Sequence, residues 1–265
     1  MIATRRSLLG FFASAALRSE SLPEQSAAMV LERSFPDPAI SYLVAEARSG
    51  REICSRWPHA QDPAPIGSLI KPFTALAFGE THGFRFPVFR CEGAQSRCWL
   101  PQGHGSMNIS HAIAHSCNAY FLQLASAVDL SALAAVAERF ALTAPPPGAT
   151  PNTLIGLGSE WRNPPAGIAH AYSELVARAS DPGVRVLLDG MSLSATIGTG
   201  RGVGAGAYVK TGTAPCVHTP RETGDGYVIA LYPIAAPRFN LLVRVHGVPG
   251  ARAAWTSGKM RRAIA

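Results

Sequence analysis

Both ends of this chain have strand-like patterns, and the segment between them follows helix spacing. Residues 39–57 alternate around a Ser49-Gly50 turn, which predicts a hairpin. After residue 200, "GAYVKTGTA", "GYVIALYP" and "FNLLVRVHG" predict three strands, and "ARAAWTSGKMRRAI" predicts a closing helix. From 68 to about 195 the spacing is mostly helical, as in "MNISHAIAHSCNAYFLQLASAV", "DLSALAAVAERFAL" and "PPAGIAHAYSELVARA".

This order predicts a mixed fold of the α/β (α+β) class. An antiparallel sheet is built from both termini and flanked by helices, and a mainly helical lobe is inserted between them. We expect one domain over 38–265, with an α/β lobe at 38–67 and 200–265 and a helical lobe at 68–199. A cleft between two lobes is a preferred place for a small-molecule site.

The charge is unevenly distributed between the two basic residue types. The 265-residue chain has a formal net charge of +7, with 21 arginines and only three lysines, at 71, 210 and 259. A buried lysine can lose its proton and act as a base, which arginine cannot do. The arginines are scattered and not interleaved with aromatic residues, so we expect no nucleic-acid partner.

Residues 1–20 have the pattern of an export signal. Arg5 and Arg6 precede an apolar run over 8–17, which is too short to span a bilayer, and "TRRSLLG" resembles a twin-arginine signal. Residues 13–15, "ASA", are a weak cleavage site. The chain is therefore predicted to be exported to the periplasm or cell envelope of a bacterium, with membrane contact only through an uncleaved signal. The alternative is a buried N-terminal helix.

Five cysteines, at 54, 91, 98, 117 and 216, cannot all pair. In an oxidising compartment Cys91 and Cys98 are close enough to close one loop by a disulfide. Cys117 is expected to remain unpaired, and pairing of Cys54 with Cys216 stays open. Histidines at 104, 111 and 115 lie near each other, but no thiol or carboxylate completes a convincing metal site. No metal or cofactor is predicted.

Three short motifs carry the candidate chemistry. Ser68 and Lys71 stand at the head of an apolar run, and Pro72 is tolerated there only if the helix begins at about Ser68. Ser116 and Asn118 follow as "SCN", with a competing Ser-x-Asn at Ser106 and Asn108. "KTGT" at 210–213 lies on a predicted strand, where Lys210 and Gly212 face the same way.

In order and separation these motifs resemble S-x-x-K, S-D-N and K-T-G of the penicillin-binding transpeptidase and serine β-lactamase superfamily. The resemblance covers most of residues 39–260. "AIAHSCNAYFLQLA", "CWLPQGHG" and "GIAHAYSEL" look like the transpeptidase domains of high-molecular-weight penicillin-binding proteins. The long N-terminal pedestal of those proteins is absent from this sequence, which favours an accessory enzyme that works with other cell-wall proteins.

The resemblance implies a serine acyl-transferase that acts on D-Ala-D-Ala stem peptides of peptidoglycan and is acylated by β-lactams. Ser68 would be the nucleophile and Lys71 its base. Ser116 would relay a proton to the leaving amine, and Asn118 would hold Lys71 and the substrate amide. Lys210 would keep the site electropositive.

The remaining roles fall on the "KTGT" strand and its neighbour. Thr211 and Thr213 would bind the substrate carboxylate, and Gly212 would let the ligand approach the backbone. The backbone N–H groups of Ser68 and Thr213 would form an oxyanion hole.

Several functions remain open at this stage. The acyl-enzyme could pass to an amine, as in a D,D-transpeptidase, or to water, as in a D,D-carboxypeptidase. A β-lactamase needs a base for deacylation, and Glu160 is the one candidate, although a loop carboxylate near Arg162 is the simpler interpretation. A penicillin-sensing module that is acylated once, or a noncatalytic scaffold, would belong to a different class.

Overall fold

The computed structural model describes residues 22–216 and 224–264. Its α-helices are α1 Leu22–Ser34, α2 Lys71–Thr81, α3 Ile109–His115, α4 Asn118–Ala125, α5 Leu130–Arg139, α6 Pro151–Leu154, α7 Pro165–Ala177, α8 Val184–Ser194 and α9 Gly250–Ile264. Its strands are β1 Ile40–Glu46, β2 Glu52–Arg56, β3 Ala64–Pro65, β4 Phe89–Cys91, β5 Gly105–Met107, β6 Arg162–Asn163, β7 Tyr208–Ala214, β8 Asp225–Tyr232 and β9 Phe239–Val245. Short 3-10 turns cover Gly67–Ile70 and Gly93–Ser96.

Strands from both ends of the chain form the central sheet. Its order is β2-β1-β9-β8-β7, and every pairing is antiparallel. The N-terminal hairpin joins the C-terminal strands through β1 and β9, where Leu43 pairs with Leu242. The predicted fold class, hairpin and three late strands are therefore confirmed.

Both faces of this sheet are covered. All eight residues of β8 are buried, and successive ones point to opposite cores. Ile229 and Leu231 pack with the helical lobe, whereas Val228 and Ala230 pack with α1 and α9. A strand buried on both faces carries a continuous apolar run, as "YVIAL" does. Helix α1, which contributes the buried Leu31, lies before the domain start predicted from the sequence.

The helical lobe lies between β2 and β7 in the chain, as predicted. Proline stands in the first turn of both α2 and α7, where its missing N–H costs no hydrogen bond. The segment 107–128 has helix spacing throughout, but the structure divides it into α3 and α4 at Ser116 and Cys117.

The predicted export signal at 1–20 lies outside the described residues. Within the described ranges, no single helix is long and apolar enough to cross a membrane. Helices α4 and α5 together are long and apolar enough to cross a membrane, but they are bent by 112° at their junction.

Candidate active site

Ser68 and Lys71 lie on one tight turn. The turn Gly67–Ile70 is a 3-10 helix, and α2 continues from Lys71, so the helical start is at the predicted place but begins in the tighter form. Gly67 has φ +59°, and a Cβ there would overlap the backbone of Thr213. The Ser68 turn therefore sits directly against β7, and only glycine fits at this contact.

The "SCN" motif forms a second turn between two helices. Ser116 has φ 50° and ψ 41°, a left-handed conformation that non-glycine residues seldom adopt. Cys117 is extended, and α4 begins at Asn118. This break directs the Ser116 carbonyl and side chain and the Asn118 amide toward the two lysines of the other motifs.

Lys71 is fully buried and held by the second motif. Its Nζ donates to the Ser116 carbonyl oxygen at 3.0 Å and to Asn118 Oδ1 at 2.6 Å. Burial lowers the pKa of Lys71 from 10.5 to about 7, against the opposing influence of Cys117 and Cys98. A lysine with a pKa near 7 is available as a base at neutral pH.

Lys210 reaches the same turn from β7. Its Nζ donates to Ser116 Oγ at 2.8 Å and to the Thr211 carbonyl oxygen at 2.6 Å. Burial, and then the charge of Lys71, lower the pKa of Lys210 well below its usual value. Protonation of either lysine disfavours protonation of the other. Lys210 therefore holds its positive charge less strongly than the role proposed in the sequence analysis, an electropositive site, requires.

The three motifs border one cleft of about 360 Å³. The cleft is lined by Ser68, Trp99, Ser116, Asn118, Leu157, Thr199, Thr211, Gly212, Thr213, Pro249 and Ala251. A Cβ on Gly212 would stand 2.7 Å from the Ile66 carbonyl oxygen, so this glycine lets β7 approach the Ser68 turn. The structure thus brings all eight predicted catalytic and substrate-binding residues to the cleft or its buried floor.

The competing motif lies elsewhere in the structure. Asn108 is the N-cap of α3, where its Oδ1 accepts from the backbone N–H of His111 at 2.9 Å. Ser106 is an exposed residue of β5. Neither residue lines the Ser68 cleft.

Sequence analysis did not single out Trp99 or Thr199. Trp99 is 49% exposed and its Nε1 donates to the His115 carbonyl oxygen at 3.2 Å. Thr199 Oγ1 lies 2.6 Å from Thr211 Oγ1. The signal for Trp99 was its place in "CWLPQGHG", one of the stretches that carry the resemblance. Nothing in the sequence around Thr199 distinguishes it from other polar loop residues.

The prediction of a Cys91–Cys98 disulfide needs correction. Cys91 and Cys98 are unpaired, so the predicted disulfide does not form, and both sulfur atoms instead lie 3.5 Å from His104 Nδ1. Cys117, distant in sequence, completes this cluster. Cys54 lies on β2 opposite Val44 of β1, whereas Cys216 follows β7 and its Sγ lies 3.6 Å from His246 Nδ1, so the structure does not bring Cys54 and Cys216 together as a disulfide.

A family model described as the penicillin binding protein transpeptidase domain matches residues 45–180. The resemblance of the three motifs to those of penicillin-binding transpeptidases implied both this cleft and a fold built from both termini. The chain belongs to the penicillin-binding protein transpeptidase domain family, and this membership supports a penicillin-binding transpeptidase function.

Solved structures of penicillin-binding proteins share this fold. The chain is 17% identical to Pseudomonas aeruginosa PBP2 in complex with WCK 5153, with a TM-score of 0.76 over 91% of this chain and 73% of that one. The transpeptidase domain of Burkholderia pseudomallei penicillin-binding protein 3 is 16% identical, with a TM-score of 0.69 over 91% of both chains.

Helicobacter pylori PBP2, in a complex with MreC, is 19% identical, with a TM-score of 0.70 over 88% of this chain and 61% of that one. A search of curated proteins found no match.

Proposed function

We propose that the chain is an exported serine D,D-peptidase of the transpeptidase type. Its substrate is the D-Ala-D-Ala end of a peptidoglycan stem peptide, and its intermediate is an acyl-enzyme on Ser68. A β-lactam is attacked in the same way and remains attached, because its leaving nitrogen stays tethered to the acyl group.

One observation carries this proposal: the buried Lys71 amine joins the Ser68 turn to the "SCN" turn. Lys71 Nζ donates to the Ser116 carbonyl oxygen and to Asn118 Oδ1. Within the described residues, no carboxylate forms a salt bridge with it. An amine that is fully buried and close to a second lysine favours its neutral form. This is the property that a base for a serine nucleophile needs.

The acylation step follows from these positions. Ser68 Oγ attacks the carbonyl carbon of the penultimate D-Ala while its proton passes to Lys71 Nζ. The oxyanion is stabilised by the backbone N–H groups of Ser68 and Thr213. The C–N bond then breaks as Ser116 Oγ–H protonates the departing nitrogen, and the Ser116 proton is replaced from Lys210 Nζ, its neighbour at 2.8 Å.

The second half-reaction decides between the finer alternatives. Attack by an acceptor amine gives a cross-link, and attack by water gives a trimmed stem. For a β-lactamase, Glu160 would have to activate that water. Glu160 instead borders a second cavity with Thr150 and Asn152, which adjoins the Ser68 cleft at Leu157, and Glu160 is not among the residues that line the Ser68 cleft. Arg162, the arginine nearest to Glu160 in the sequence, donates from Nε to the Ser159 carbonyl oxygen at 3.1 Å.

We further propose that the enzyme works in the periplasm or cell envelope with other cell-wall proteins. Helicobacter pylori PBP2, which shares the fold of this chain, forms a complex with MreC, and this supports a partner of that kind. The export step rests on the sequence pattern at residues 1–20.

The test compares the purified protein with two serine variants. A fluorescent penicillin should form one covalent adduct with the wild-type chain, detected by intact mass. Ser68→Ala should abolish the adduct, whereas the matched control Ser106→Ala, at the exposed competing serine, should retain it. A full-size adduct on Ser68→Ala would remove Ser68 as the nucleophile.

Turnover is then measured with a D-Ala-D-Ala peptide, with and without an amine acceptor. Cross-linked product identifies a transpeptidase, and D-Ala release without an acceptor identifies a carboxypeptidase. A stable adduct with no peptide turnover identifies a sensing module. Rapid release of hydrolysed penicillin identifies a β-lactamase.

A further inference from the structure

Four potential metal ligands meet beside the candidate active site. Cys91, Cys98, His104 and Cys117 place their ligand atoms within 4.8 Å of one another. Both Cys91 Sγ and Cys98 Sγ lie 3.5 Å from His104 Nδ1, and Cys98 Sγ lies 3.9 Å from Cys117 Sγ. Three thiols and one imidazole are a ligand set typical of structural zinc sites.

The distances match tetrahedral coordination. Zinc binds sulfur at about 2.3 Å and nitrogen at about 2.0–2.1 Å, so tetrahedral ligands lie about 3.8 Å apart for two sulfurs and about 3.5 Å for sulfur and nitrogen. Here the Cys98 and Cys117 sulfurs are 3.9 Å apart, the Cys91 and Cys98 sulfurs each lie 3.5 Å from His104 Nδ1, and the remaining pairs of ligand atoms lie within 4.8 Å. The side chains would therefore need little movement to bind the ion.

Hydrogen bonding alone does not account for this arrangement. His104 Nδ1 has either one proton or one lone pair, and it cannot satisfy two sulfur atoms at once. Cys91, Cys98 and Cys117 are 3%, 8% and 0% exposed. A Cys91–Cys98 disulfide would leave the imidazole and the Cys117 thiol without a role, whereas a metal ion uses all four.

The fold builds the site from three separate segments. Cys91 ends β4 opposite Gly105 of β5, and Cys98 follows the 3-10 turn Gly93–Ser96. A Cβ on Gly93 would overlap the Pro101 carbonyl, so the loop crosses itself at a point that only glycine permits. Cys117 enters from the junction of α3 and α4.

We propose that Cys91, Cys98, His104 and Cys117 bind one zinc ion in a closed four-coordinate site. The three thiols lose their protons on binding, and no electron transfer is involved. With four protein ligands no open position remains for substrate, so the role is structural.

The ion would position one wall of the cleft, an effect that rests on the proposed function. Cys117 lies between Ser116 and Asn118, the residues that contact both lysines. Trp99 follows the ligand Cys98, lines the cleft, and donates to the His115 carbonyl at the end of α3. One bound ion thus fixes the "SCN" turn and the Trp99 loop relative to each other.

Metal content of the reduced wild-type protein tests the site itself. Elemental analysis should find close to one zinc per chain, and cobalt substitution should produce thiolate-to-cobalt charge-transfer absorption. Cys91→Ala should lose the metal, whereas Cys91→Asp, which keeps a ligand atom, and Cys54→Ser, outside the cluster, should retain it. A wild-type protein that takes up neither metal, or an active protein with a Cys91–Cys98 disulfide, would overturn the proposal.

Acylation by fluorescent penicillin tests the positioning role. Removal of zinc with a chelator should slow acylation about tenfold or more, and added zinc should restore it. Cys91→Asp should acylate close to the wild-type rate, which a purely steric effect of losing Cys91 would not allow. Zinc-loaded protein that never acylates would contradict the proposed function and leave the metal site standing. Acylation that is unchanged by zinc removal would refute the positioning role.

Discussion

The buried Lys71 amine makes a quantitative prediction about pH. With its ordinary pKa of 10.5, about 0.03% of a lysine is neutral at pH 7, whereas with a pKa of about 7 half of it is neutral. Burial therefore increases the fraction able to accept the Ser68 proton by about 1,500-fold. Since the base must be neutral, acylation should be faster at higher pH and should fall as Lys71 becomes protonated.

The assay is the second-order rate of acylation by a penicillin that does not itself titrate between pH 5.5 and 9. The neutral fraction of Lys71 is about 9% at pH 6 and about 91% at pH 8, so the rate should rise about tenfold and then level off. Far-UV circular dichroism at each pH confirms that the protein remains folded.

The Lys71→Arg variant is the control. Arginine keeps a cation beside Asn118 but cannot accept a proton at these pH values. It should lose nearly as much acylation as Lys71→Ala and should show no inflection near pH 7. A wild-type rate that continues to rise tenfold per pH unit beyond pH 9 would mean that burial does not lower the pKa of Lys71. A flat profile would mean that Lys71 is not the base.

Two further predictions concern the Ser68 turn and export. Gly67 and Gly83 share φ +59°, but a Cβ would overlap the Thr213 backbone only at Gly67, since nothing lies within 4 Å of that position at Gly83. Gly83→Ala should lower the free energy of unfolding by about 1–2 kcal/mol and leave acylation unchanged. Gly67→Ala should lower it more and should also impair acylation. Equal effects of the two variants would contradict the contact between Gly67 and the Thr213 backbone. Changing Arg5 and Arg6 to lysine should abolish export if the twin-arginine hypothesis holds, and unchanged export in a host with both pathways would indicate the general route.

Local patterns predicted most of what positions the site. Alternation marked β1, and short apolar runs bounded by turns marked β7, β8 and β9, because these patterns lie in the residues of each strand itself. Pro72 located the start of the helical turn at Ser68 because a proline is restricted wherever it stands. Both signals depend on a few neighbouring residues, so contacts with distant parts of the chain change the resulting local structure little.

Features that depend on distant contacts could not be predicted. Apolar helix spacing continues across "SCN", so nothing local marks the break at Ser116. The cluster around His104 joins a loop to a helix junction 13 residues further on, and in the sequence Cys91 and Cys98 suggested a disulfide more readily than ligands. Helix α1 has weak amphipathic character, and its place becomes clear only from α9 and the sheet face that bury Leu31.

The conformation of Ser116 ties these distant contacts to function. A left-handed serine costs about 1 kcal/mol or more, which a continuous helix would have avoided. The break is stabilised by the bond from Lys71 Nζ to the Ser116 carbonyl and by the bond from Lys210 Nζ to Ser116 Oγ. A regular helix would use that carbonyl for its own ladder and leave Lys71 without this acceptor. The strain at Ser116 is therefore the structural condition under which one residue contacts both lysines.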